Sequence, residues 1–166
     1  MLPFLRIVVL IVLVGGLQVT LAQAWAPLGL VDGLMIVVGL LAFRLVYPAA
    51  LTVAAFAGLV QDGLGGGILG VHAFSKTAVA AVLNSMGSVL VVRGQLAEAV
   101  VIGVAAVADG TIARMLLMFL DWTPQEPFST VLLRGGGTGL IAAIYLLGRP
   151  WVVMKWQLWR RRPRRR

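Results

Sequence analysis

From Ile7 to Val31 the chain carries no charged side chain, and further apolar stretches follow it almost to Arg149. Backbone placed in hydrocarbon must satisfy its own hydrogen bonds, so only helices and closed barrels can cross a bilayer. Barrel strands alternate apolar and polar residues over about 10 positions. These runs are continuous instead, which selects helices. Hydrophobic residues make up 60% of the 166 and charged residues 12%, against about 45–50% and about 25% in soluble domains. So few polar side chains cannot coat a water-soluble globule. A soluble enzyme and a disordered tail are excluded. A disulfide scaffold is excluded as well, because cysteine is absent.

The punctuation of the chain predicts an all-α, polytopic membrane protein with six transmembrane helices, at about 5–24, 28–43, 48–62, 70–91, 96–120 and 129–148. Six spans of about 20 residues use about 120 of the chain, which leaves room for connections only. Residues 1–150 thus form one six-helix domain, and 151–166 an aromatic and polybasic tail. The second stretch is shorter than the rest and is interrupted by Asp32. Pro48 and Pro124 mark breaks, since a residue before proline is biased away from helix. Arg6, Arg44, Arg93, Arg149, Lys155 and the terminal arginines fall on one side of this layout, and Asp62, Asp121 and Glu126 on the other. Basic residues mark cytoplasmic loops, so both termini are expected in the cytoplasm. Met1–Arg6, the apolar run and Ala22-Gln23-Ala24 also resemble a cleaved signal peptide. The apolar core exceeds the usual 7–15 residues, and this favours a retained span.

Two motifs suggest nucleotides and fail on context. Gly65-Gly66-Gly67-Ile68-Leu69-Gly70 satisfies the dinucleotide pattern, but no acid follows before Glu98 and no strand precedes it. Gly70-Val71-His72-Ala73-Phe74-Ser75-Lys76-Thr77 approaches a P-loop, with Ser75 where the second glycine should wrap phosphate. The net charge of +8 is concentrated in Arg160-Arg161-Arg162-Pro163-Arg164-Arg165-Arg166. A basic tail beside an apolar span reads as a topology signal and an anionic-lipid contact rather than a nucleic-acid site. Trp156 and Trp159 belong to the same interfacial segment, with Arg160, Arg161 and Arg162 contacting lipid.

Inside the spans, Lys76, Asp109, Arg114 and Arg134 form an intramembrane polar layer, all but Asp109 about 8–9 Å beneath the outer boundary at 1.5 Å per residue. Charges at that depth cost about 2.5–3.5 kcal/mol and should pair or face a wet cavity. Two arrangements satisfy this. One is an outward-open cavity holding an anionic headgroup or a partner's acid. The other is internal pairing of Asp109 with Arg114 or Lys76. His72 reads as an interfacial hydrogen-bonding residue, and one histidine without cysteine makes no zinc site. Neither a metal nor a cofactor is expected. Small residues at Ala50, Ala54 and Gly58 allow close helix approach. Turned inward, such pairs pack within the bundle, and Asp62 before the glycines reads as a turn or cap residue. Turned outward and leading into Asp62, the stripe would dock a partner's single span, and this is the face expected to do so.

The apolar helix ending Gly58-Leu59-Val60-Gln61-Asp62, the glycine-rich turn, and Leu69-Gly70-Val71-His72-Ala73 opening the next span resemble the signature region of MreD, the rod shape-determining inner-membrane family of bacteria. The likeness extends from Tyr47-Pro48 to Leu83. It implies a fold similar to the six-helix substrate-binding subunit (S-component) of energy-coupling-factor transporters. It further implies a non-enzymatic role in cell elongation, with the bitopic protein MreC as partner and, through it, the MreB cytoskeleton and peptidoglycan synthases. No nucleophile–base pair or carboxylate dyad argues for an enzyme. A vitamin-transporter subunit shares the same helix layout, and a lipid-handling protein would use the basic layer. The first expects an aromatic-lined cavity, which an aromatic content of 8% disfavours.

Overall fold

The computed structural model of the chain describes residues 2–25, 29–89, 94–123 and 127–160, with side chains described throughout these ranges except at 2–3, 88–89 and 151–160. Six helices, and no strand, occur among the described residues: α1 Leu2–Ala24, α2 Gly33–Ala42, α3 Tyr47–Gly65, α4 Val71–Val89, α5 Gln95–Phe119 and α6 Phe128–Arg160. Local chemistry sets the ends. Pro48 lies in the first turn of α3, where its missing N–H would have no helical partner anyway. Gly66 closes the same helix in the left-handed conformation, φ 66°, which glycine adopts without a Cβ clash.

Three segments are long and apolar enough to cross a bilayer: Phe4–Ala24, Gln95–Phe119 and Phe128–Pro150. The chain is therefore a helical membrane protein. Helices α3 and α4 have 19 residues each but carry Gln61, Asp62, His72, Ser75 and Lys76.

The second segment departs from expectation. In place of a helix over 28–43, a short 3-10 turn at Gly29–Leu30 leads to irregular backbone at Val31–Asp32, and the helix begins only at Gly33. Its 10 residues measure about 15 Å, half the hydrocarbon thickness. Asp32 sets this start, because its side chain accepts the Met35 N–H at 2.8 Å as an N-cap.

This half-length helix is the centre of the bundle. Helix α2 touches every other helix, while α3 pairs most extensively with α4 and α5 with α6. Leu34, Met35 and Val38 are almost wholly buried, against Ile11 of α1, Ala54 and Ala57 of α3, and Ala80 of α4. The two long pairs close through glycine. A Cβ on Gly58 would lie inside 3.0 Å of the Ala73 and His72 backbone, and one on Gly135 would strike Val107. Gly137 has a different partner. Its Cβ would meet the Leu30 carbonyl oxygen at 2.8 Å, so glycine there lets the irregular segment before α2 lie on α6. Helix α6 continues through Pro150 to Arg160, a run of 33 residues.

Candidate functional site

The buried charges gather where α2, α4, α5 and α6 meet. Lys76 Nζ lies 2.7 Å from Asp32 Oδ2 and 2.8 Å from Asp109 Oδ2. Ser75 Oγ donates to Asp109 Oδ1 at 2.5 Å. The Asp32 N–H donates to Thr138 Oγ1 at 2.9 Å. Lys76, Ser75 and Thr138 are 0% exposed, with Asp109 at 2% and Asp32 at 3%. An isolated lysine at this depth would cost several kcal/mol. Here each carboxylate oxygen has a donor, so the ion pair and its hydrogen bonds offset desolvation together.

The Lys76–Asp109 pair was one of the arrangements open to the sequence. It forms, and it forms sealed, so these two residues do not line an outward-open cavity. Arg114 and Arg134 are half-buried on α5 and α6, with Arg134 one turn before Thr138. Asp32, Ser75 and Thr138 are the members that sequence reasoning passed over. Asp32 had a visible signal, an Asp three residues before Met35 at the head of an apolar run, the pattern of an N-cap. Ser75 and Thr138 gave none.

A second cluster holds the turn between α3 and α4. Asp62, 3% exposed, accepts the Gly70 N–H at 2.8 Å and the Ala73 N–H at 3.3 Å through Oδ2. Through Oδ1 it accepts the His72 N–H at 3.1 Å and lies 2.9 Å from His72 Nδ1. Unpaired N–H groups at a helix start need such acceptors, and a carboxylate there also meets the positive end of the helix dipole. Gly70, at φ 102°, turns its N–H inward in a conformation that a larger residue would resist. Asp62→Ala is therefore expected to lose about 1–3 kcal/mol, read as a lower melting temperature of the detergent-purified protein. Asp62→Asn, which keeps one acceptor, should lose less.

The stripe expected to dock a partner faces the other way. Ala50 is 2% exposed and Ala54 0%, and Gly58 presses on the α4 backbone. In a bilayer both faces of a helix are apolar, and the closest helix–helix contact claims the small residues. The outward docking face at Ala50, Ala54, Gly58 and Asp62 is thus corrected to an internal seam ending in a turn clamp. Ala54→Leu should accordingly reduce the yield of folded protein, since overpacking costs about 1–3 kcal/mol. Yield by size-exclusion chromatography checks this.

Trp156, Trp159 and Arg160 lie in the last turns of α6, where the side chains are outside those described. Arg161 and Arg162, like Arg93, lie outside the described residues. Among the described residues no group of three or more His, Asp or Glu is placed to hold a metal ion. No protein-family model matches the chain, and no curated protein or solved structure matches it.

Proposed function

We propose that the chain is a non-enzymatic membrane scaffold of the MreD type, which binds a MreC-like bitopic protein within the bacterial inner membrane and supports cell elongation and peptidoglycan synthesis. The observation that carries this reading is the clamp at Asp62. The segment resembling the MreD signature, from Tyr47 to Leu83, folds as two helices joined by a turn whose glycines and carboxylate act together. A scaffold needs rigid presentation more than accessible chemistry, and Lys76, Asp32 and Asp109 are engaged with one another. Both termini lie in the cytoplasm in this reading, with the basic tail on the anionic leaflet.

Affinity purification of the tagged chain from its native membranes tests the reading. A bitopic MreC-like protein should co-purify, and depletion of the chain should round rod-shaped cells. Recovery of ATPase and coupling subunits in its place would establish a second reading, a vitamin-transporter S-component. One feature favours that alternative: α2 is a discontinuous half-helix preceded by unwound backbone, a device transporters use at midplane binding sites.

A further inference from the structure

Helices α4 and α5 leave a cleft between them with a volume of about 320 Å³. Val79, Val82 and Met86 line one wall and Val100, Val104 and Ala108 the other, and all of its lining residues are apolar. Val82, Val100 and Val104 are each more than half exposed, so the cleft opens on the outer surface of the bundle. Along α5 it runs from Val100 to Ile112, about 18 Å at 1.5 Å per residue. That length matches one leaflet, about 15 Å of a 30 Å core. Its deep end reaches Ala78 on α4 and Ile112 on α5.

Its other end carries a cation. Phe43 packs on Gly87, and Asn84 Nδ2 donates to the Leu45 carbonyl oxygen at 2.9 Å. These contacts fix the α2–α3 connection against the last turns of α4. Arg44, between them, reaches Glu98 on the first turn of α5 at 3.7 Å, with 48% of its side chain exposed. One loose carboxylate contact uses one edge of a fork with five N–H donors. The guanidinium is the group best matched to a phosphate in two parallel hydrogen bonds.

We propose that this cleft binds one acyl chain of an anionic phospholipid, whose phosphate is held by Arg44. The two halves of the site match the two halves of that ligand: a dry apolar trough one leaflet deep, and a half-exposed guanidinium at its mouth. An unfilled trough would forfeit dispersion contacts along its walls. A second helix is too thick to fill it. At a diameter of about 10 Å over the same length, a helix needs on the order of 1,400 Å³. The site is independent of the scaffold reading and stands whether or not a MreC-like partner binds.

Native mass spectrometry of the full chain, released from detergent after titration with phosphatidylglycerol or phosphatidylcholine of identical chains, tests the proposal. The wild type should retain one phosphatidylglycerol with about a fivefold preference, the magnitude of one basic side chain at an anionic surface. The tail arginines attract the same headgroups, so the decisive readout is the change between variants. Arg44→Gln should lose most of that preference, keeping only what the tail contributes. Val104→Trp fills the cleft from an exposed position and should lose the retained lipid while keeping its melting temperature. Retention at the wild-type level in Val104→Trp, or an unchanged preference in Arg44→Gln, would overturn the assignment. So would a co-purifying polypeptide displaced by Val104→Trp, which would give the cleft to a partner.

Discussion

Lys76→Met is expected to abolish folding in the membrane. Methionine fills much of the same volume, so packing survives and charge does not. Asp32 and Asp109 then face each other in the bundle with no cation, and breaking one buried pair alone costs about 3–5 kcal/mol. Native stabilities amount to only about 5–15 kcal/mol, and here two carboxylates lose the same partner. Fluorescence-detected size-exclusion chromatography should show an aggregated or absent peak. The triple variant Lys76→Met, Asp32→Asn, Asp109→Asn removes every formal charge and should recover most of the monodisperse protein. A wild-type profile for Lys76→Met alone would mean that the network contributes little.

Gly58→Val is expected to be nearly as damaging, for a steric reason. The Cβ alone would lie inside 3.0 Å of backbone atoms of Ala73 and His72. Backbone cannot rotate away as a side chain can, so α3 and α4 must separate. Separation also pulls the Gly70, His72 and Ala73 N–H groups off Asp62. Loss of the packed peak in chromatography is expected, with Gly58→Ala already lowering the melting temperature by several degrees. Gly136→Val provides the control on a helix of the same bundle, because nothing lies within 4 Å of its Cβ position. Equal behaviour of the two variants would show that helix propensity, rather than contact, governs glycine here.

The segmentation into helices was legible because its markers are local. Pro48, the glycines after Asp62, Gly94 and the polar run from Asp121 each act on their own backbone, and α3 to α6 begin and end near them. The internal pairing of Lys76 with Asp109 was legible as one of two arrangements, since depth alone obliges a charge to find company. What the sequence concealed is whatever depends on direction around a helix. In water, polarity separates inner from outer faces. In lipid the Ala50–Ala54–Gly58 stripe is apolar on either side, and only the observed seam with α4 shows which way it turns. Thr138 is concealed for a related reason: its partner is the backbone of Asp32, 106 residues away, and no periodicity encodes that. The half-length α2 was misread because a run of apolar residues says nothing about where unwound backbone can be satisfied. Asp32 and Thr138 supply that satisfaction, and the bare face of Gly137 leaves the segment room to lie on α6.

The ion network also ties together distant parts of the chain. A ribosome delivers Asp32 44 residues before Lys76, and Lys76 33 residues before Asp109. The aspartate between α1 and α2 thus has its counterion on a helix that follows both of them in the chain. Thr138, 106 residues downstream of Asp32, holds the same aspartate by its backbone N–H. The start of α2 is thus held by residues that belong to the last two thirds of the chain.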